Sequence, residues 1–343
     1  MTSEISTLRV DPEPGEPEPE PGLAGGGVAA LFVGAILAGS ILGLTAPTAG
    51  ETLAAGIDPT LLLMIFLLFF ELRPGAIVQG FGNLRFLSLA WAANFLIVPF
   101  IGFALASLFL SGQPLLFIGL VIYFVAPCTD WFLGFTRMSR GDTALGSALI
   151  PINMLTQLLL FPLWLWLFAR HTGLVDFAAI PGLLAQWFVL PLIAAQALRV
   201  CLVKLLPQGR FDHLLRVVGR IVPLAIAGLI LQIFATNITA ITGHLEFLAL
   251  ILPAVFLFFA ATFIVGEGVS RLAGLSYPQH ALLANTLAAR NAPLMLAVTA
   301  VAIPDQPMIL AALVMGMLVE FPHLTGLKQI LLWQRSRPKS APA

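Results

Sequence analysis

Ten apolar runs follow one another along this chain, at roughly 28–46, 57–72, 86–109, 114–136, 144–169, 177–200, 220–241, 245–265, 279–303 and 306–333. Most approach the ~20 residues that an α-helix needs to cross a bilayer. Lipid offers backbone groups no hydrogen bonds, so a span must satisfy its own, and an uninterrupted apolar run of this length does so as a helix. The fold expected is an all-α polytopic membrane protein of ten transmembrane helices. Composition agrees: 59% of residues are apolar and 10% charged, where a soluble domain would carry about 25% charge. The mean hydropathy is +0.98.

The distribution of charge is more informative than its total, which is zero. With alternate loops assigned to opposite sides, one side receives Arg9, Arg73, Arg85, Arg137, Arg140, Arg199, Lys204, Arg210, Arg216, Arg220, Arg271, Lys328, Arg335, Arg337 and Lys339. The other receives Arg170, and Arg290 lies inside a span. The positive-inside rule then puts both termini in the cytoplasm of a multi-pass protein of the cell (inner) membrane. Residues 1–25, acidic and proline-rich from Asp11 to Pro21, cannot bury a core and read as a disordered cytoplasmic tail. They lack the basic start of a cleavable signal peptide. Residues 334–343 form a basic cytoplasmic tail.

Ten spans divide as five plus five, and an odd number per half makes the two halves inverted relative to each other. The first repeat is assigned to 26–200, the second to 177–333 with 220–333 its remaining spans, and the basic segment 201–219 is read as a cytoplasmic connector. No residue-by-residue repeat is visible. The pairing of halves rests on hydropathy and on two matching interruptions.

Those interruptions are Ala126-Pro127-Cys128-Thr129-Asp130 in the fourth run and Ala289-Arg290-Asn291-Ala292-Pro293 in the ninth. Proline removes a backbone donor and clashes with the preceding turn, and non-helical backbone is tolerated at membrane depth only inside protein or beside a watery cavity. Broken helices at corresponding positions of two halves point to a transport site. The two breaks are expected to cross, with half-helices starting near Thr129 and Pro293 turning their positive ends towards the crossing. An isolated charge at the bilayer centre costs about 2.5–3.5 kcal/mol, so Asp130 and Arg290 are expected either to pair or to contact a solute or coupling ion.

Glu320 is a third deep charge, midway along the tenth run, and a carboxylate there is a natural proton carrier. His323, three residues on, shares its helix face and is a candidate to extend a proton relay. Cys128 directly follows the helix-breaking Pro127; a thiol at the start of a half-helix is a candidate soft ligand, although buried cysteine more often acts as a small hydrophobe. Cys201 has no such context, and the two cysteines give neither disulfide nor zinc spacing. Asn94, Gln157, Gln186, Gln196, Gln232 and Asn285 read as interhelical hydrogen-bonding groups. Thr129 and Asn291 rank higher because they lie in the breaks, and Asn153, just after Pro151, is a candidate to line a cavity. Glu71 and Asp142 are expected to be solvated at helix ends. The five histidines are scattered and no output domain follows the last span, which argues against a membrane-embedded enzyme or sensor.

At these residues the chain resembles the bile acid/sodium symporter superfamily, and within it the arsenite efflux permeases of the Acr3 type. Pro127-Cys128-Thr129 followed by Arg140-Gly141-Asp142 looks like the fourth-span cysteine and the Gly-Asp that ends the next cytoplasmic loop. Ala288-Ala289-Arg290-Asn291 and Leu318-Val319-Glu320-Phe321-Pro322 look like the permeases' ninth-span break and tenth-span segment. Asp130-Trp131 departs from the small and aliphatic residues expected there. The resemblance implies ten spans in a panel and a core, with spans four and nine crossing in the core. It makes Cys128 the metalloid ligand and Glu320 the carboxylate needed for transport. Sodium-coupled relatives carry an acid at the ninth-span break where this chain has Arg290, which favours protons over sodium as the coupling ion.

The function expected is secondary active efflux of arsenite or antimonite by proton antiport. Cys128, Thr129, Asn291, Arg290 and Asn153 would bind the metalloid oxyanion or hydroxide, and Glu320, Asp130 and His323 would carry the coupling. The alternative is sodium-coupled symport of a small organic anion, with Arg290 as the anion's partner. No cofactor and no nucleic-acid partner are expected, and the bilayer is the third partner.

Overall fold

The computed structural model describes residues 25–336 apart from 73–74, 76–80, 130, 176, 244–245 and 247–248. Of the expected tails, residues 1–24 and 337–343 lie outside the described residues; Gly25 already begins the first helix and Ser336 ends the last. The helices are α1 Gly25–Thr45, α2 Pro47–Ala54, α3 Ile57–Glu71, α4 Leu84–Leu110, α5 Pro114–Val125, α6 Phe132–Met138 and α7 Thr143–Ala169. They continue with α8 Ile180–Leu205, α9 Gln208–Thr242, α10 Ile251–Leu272, α11 Tyr277–Ala288, α12 Ala292–Ala302 and α13 Pro307–Ser336.

Local sequence explains where these helices begin. Asn83, Asp142 and Asn291 each accept a hydrogen bond from a backbone N–H of the following first turn, on Phe86, Leu145 and Leu294, which satisfies a donor that the helix leaves orphaned. Asp142, expected as a solvated loop carboxylate, is thus the cap of α7. Pro47, Pro114, Pro278 and Pro293 sit in first turns, where a missing N–H costs nothing. Pro293 therefore lies in the first turn of the second half-helix, which starts at Ala292, and the break itself is Ala289 to Asn291.

Among the described residues, seven helices are long and apolar enough to cross a membrane, and eight if the bent pair α2–α3 counts as one span. The fourth and ninth runs do not appear in that count because each is divided. The α5 and α11 segments have 12 residues each, α12 has 11 and α6 has 7. At 1.5 Å per residue none reaches the ~30 Å of a hydrocarbon core alone. The segment 201–219 is not a loop: α8 and α9 run into it from both sides and leave only Leu206 and Pro207 between them.

The helices pack as two groups. One contains α1, α2, α3, α8 and α9; the other contains α4 to α7 and α10 to α13, with α13 also touching α1 and α9 and α12 touching α3 and α8. In the first group α1 lies directly on α9. A Cβ at Gly39 or Gly43 would run into the carbonyl oxygens of Leu231 or Ala235. This small-xxx-small spacing is how membrane helices approach closely without a hydrophobic drive between them. Outward-facing leucines such as Leu108 and Leu159, 71% and 78% exposed, suit a lipid surround.

One end of the second group gathers Arg85, Arg137, Arg140, Arg271, Lys328 and Arg335. Arg85 donates to the carbonyl of Ala273 (2.8 Å), and Tyr277 donates to those of Ser139 (2.9 Å) and Leu331 (3.0 Å). The Asp142 amide donates to the Pro278 carbonyl (3.0 Å). The starts of α4, α7 and α11 therefore meet the ends of α6, α10 and α13.

Candidate functional site

Two broken helices meet where their backbones are unpaired. The Cys128 amide donates to the Ala289 carbonyl (3.0 Å) and the Asn291 amide to the Ala126 carbonyl (2.9 Å). Pro127 and Arg290 thus face each other as a single antiparallel β-bridge. Buried peptide groups freed from a helix must find partners elsewhere, and here each break supplies them to the other. Pro127, which has no N–H to offer, sits where none is needed. Asn291 reinforces the pairing: its side-chain nitrogen donates to Thr129 Oγ1 (3.0 Å) while its oxygen caps α12.

Arg290 is fully buried. Its guanidinium donates to the carbonyl of Phe124 (3.1 Å), the carbonyls of Thr286 (2.9 Å) and Leu287 (2.7 Å), and Asn94 Oδ1 (3.3 Å). These carbonyls belong to the last turns of α5 and α11, the groups a helix leaves without internal partners. The cation therefore sits against two negative helix ends, with the Phe258 ring 5.5 Å away. Asn94 is turned inward by a π-helical turn over Ala93–Ile97 in α4, a distortion frequent at functional positions. Its nitrogen donates to Thr286 Oγ1 (3.2 Å). The expected Asp130–Arg290 pair cannot be assigned, because Asp130 lies outside the described residues. The two terminal nitrogens of the guanidinium meet neutral oxygens, and Nε has no hydrogen-bond partner among the described residues.

Glu320, also fully buried, accepts three hydrogen bonds. Trp131 Nε1 (2.6 Å) and the Arg290 amide (3.0 Å) both donate to Oε1, and the Tyr123 hydroxyl donates to Oε2 (2.8 Å). One planar peptide group thus serves both candidate residues. The Ala289 carbonyl takes the Cys128 amide, and the N–H of the same unit, on Arg290, holds Glu320.

The other candidates divide. Cys128 is buried rather than open to a solute. A cavity of about 250 Å³ reaches the next residue, Thr129, and is lined also by Leu68, Glu71 and Leu72 of α3 and by Ile150 and Met154 of α7. It lies between the two helix groups, and Glu71, expected in solvent, lines it. Asn153 lies on the same side of α7 as Ile150 and Met154 but is buried, reaching Thr286 Oγ1 at 3.5 Å, with no partner for its oxygen among the described residues. His323, expected to extend a relay from Glu320, makes no hydrogen bond to it among the described residues. Its ring lies flat on Phe259 (4.1 Å between centroids) and its Nε2 has no partner among the described residues. Sequence reasoning missed Tyr123 and Trp131, which hold Glu320, and passed over Thr286. The one available signal was rarity, since the chain has two tyrosines, and both are placed where their hydroxyls hold other segments.

The chain matches the model of the Sodium Bile acid symporter family over residues 58–244, from α3 to the end of α9. It is 29% identical over 255 residues to the arsenical-resistance protein Acr3 of Corynebacterium glutamicum, an alignment covering 70% of this chain and 68% of that one. The long apolar helices and the family match agree on a multi-pass membrane transporter rather than an enzyme, and the chain belongs to the Sodium Bile acid symporter family.

Proposed function

We propose that this protein is a secondary transporter exporting arsenite or antimonite from the cell in exchange for protons. The observation that carries the reading is the peptide group Ala289–Arg290, which bonds Cys128 on one side and Glu320 on the other. It offers a direct mechanical link between a thiol site and a proton site. Similarity to an arsenical-resistance protein supports the choice of solute.

The solute enters through the cavity at Thr129 and reaches Cys128 when the crossing shifts. There the sulfur replaces one hydroxyl of the trivalent element. An S–As bond forms, an As–OH bond breaks, and the thiol proton leaves with the hydroxyl as water. Thr129, itself held by Asn291, takes one of the remaining hydroxyls. Glu320, with three donors around it, is arranged as the ionised carboxylate. A proton arriving on Oε2 reverses the Tyr123 bond, because a phenol can accept as well as donate, while the Trp131 indole can only donate. Protonation thus weakens the hold of Glu320 on the Arg290 amide and on Trp131 and loosens the crossing. Asp130, two residues after Cys128 in sequence, is a second carboxylate for this step.

The reading includes ten spans in two inverted halves, with α5–α6 and α11–α12 as the broken fourth and ninth spans and both termini cytoplasmic. Division of the helices into two groups, each drawing on both halves of the chain, supports it. The alternative, sodium-driven uptake of an organic anion, has the family's name in its favour. It needs Arg290 to face the anion, and the guanidinium is occupied by carbonyls and Asn94. Expression in an arsenite-sensitive host lacking its own exporter should restore growth at arsenite concentrations that stop the empty host. Absence of protection, with the protein present in the membrane, would contradict the choice of solute.

A further inference from the structure

We propose that the Arg290 guanidinium occupies a cation site built from the protein's own oxygen atoms, and so acts as a tethered, permanent substitute for a mobile alkali cation at the crossing. Its four acceptors are three main-chain carbonyls and one side-chain amide oxygen. Neutral oxygens of this kind replace the hydration shell of alkali cations in selective filters. They come from three segments, the ends of α5 and α11 and the π-turn of α4, so the cage exists only when the broken helices are crossed. Each helix C-terminus carries about −0.5 elementary charge. Two such ends converge on one guanidinium, and the Glu320 carboxylate, bonded to the amide of the same residue, adds to the attraction for a cation there.

Without a cation the carbonyls of Phe124, Thr286 and Leu287 would face one another in a dry interior. In Arg290 the charge is covalently held and does not titrate in proteins. Neither pH nor ion depletion can empty the site, so coupling does not run through it. Asn94 and Thr286 share in this role: Asn94 is fixed by Thr286 Oγ1 while its own oxygen takes the guanidinium. The inference does not depend on which solute is carried.

The test is thermal unfolding of the full-length protein in detergent, in sodium, lithium, potassium and choline chloride at matched ionic strength. The wild type should melt at one temperature in all four. Arg290→Ala should melt several degrees lower in choline and recover saturably with one of the smaller cations or with millimolar guanidinium chloride, since a ligand that binds only the folded state stabilises it. Arg290→Met, which fills the space without charge, should stay low in every salt. A wild type stabilised specifically by sodium would overturn the proposal, whether or not the variants fold. So would a folded Arg290→Ala protein indifferent to every cation. Because no metalloid is present, failure of arsenite export and failure of the cation cage give separate results.

Discussion

The two breaks contribute equally to the backbone bridge and differ in almost everything else. In the first, Ala126 to Thr129, the side chains are small: a thiol and a hydroxyl, with the ≈ 250 Å³ cavity reaching Thr129. In the second, Ala289 to Asn291, both polar side chains are committed inward, Arg290 to helix ends and Asn291 to a cap and to Thr129. Breaking a helix in a membrane frees carbonyls and amides that must be answered. Each break answers the other's backbone, and the second alone adds side chains to the helix ends, which leaves those of the first free to meet a solute. Glu320 stands apart from either, reached through the Arg290 amide and the Trp131 indole.

If the second break is the lock, damage to it should cost most. Arg290→Ala leaves four buried acceptors without their donor, each worth ~1–3 kcal/mol if water cannot reach it. A loss of several kcal/mol is expected, read as a lower melting temperature and poor recovery from the membrane. Asn291→Ala removes the cap of α12 and the link to Thr129 together, for about 1–2 kcal/mol. A loss as large as that of Arg290→Ala would mean the cap, not the cation, holds the crossing. Thr129→Val on the first break gives up one hydrogen bond, about 1 kcal/mol. It should slow export more than it destabilises, and unchanged export would remove Thr129 from the solute's path. His323→Leu should change stability by less than about 0.5 kcal/mol beyond lost ring packing and leave export intact. A strong transport defect there would restore the relay from Glu320.

Much of this was legible before any coordinates. Apolar runs of helix length, the two interruptions and the one-sided basic loops lead to a polytopic helical protein with broken helices that meet. The meeting itself follows from the need of Pro127-Cys128 and Arg290-Asn291 for hydrogen-bond partners. The identity of those partners was not legible. The acceptors of Arg290 are mostly main-chain carbonyls, which every residue has, so no residue type announces them and an acidic partner looked necessary. Tyr123 and Trp131 sit in apolar runs and look like filler until α13 brings Glu320 to them. Helical spacing places His323 beside Glu320 on one helix, but the two side chains turn to different neighbours, Phe259 and the crossing. The connector 201–219 looked like a loop because its charge obscured helices that continue beyond the apolar runs.

The central claim is that a thiol at the first break and a carboxylate reached through the second work as one exchanger. It is tested most directly by arsenite accumulation in everted membrane vesicles under an imposed proton gradient. Wild type, Cys128→Ser and Glu320→Gln should be compared at matched abundance and melting temperature. The account predicts gradient-driven accumulation by the wild type. Cys128→Ser should fall to the level of empty vesicles, and Glu320→Gln should lose all response to the gradient. Undiminished accumulation by Cys128→Ser, or an unchanged response to the gradient in Glu320→Gln, would contradict it.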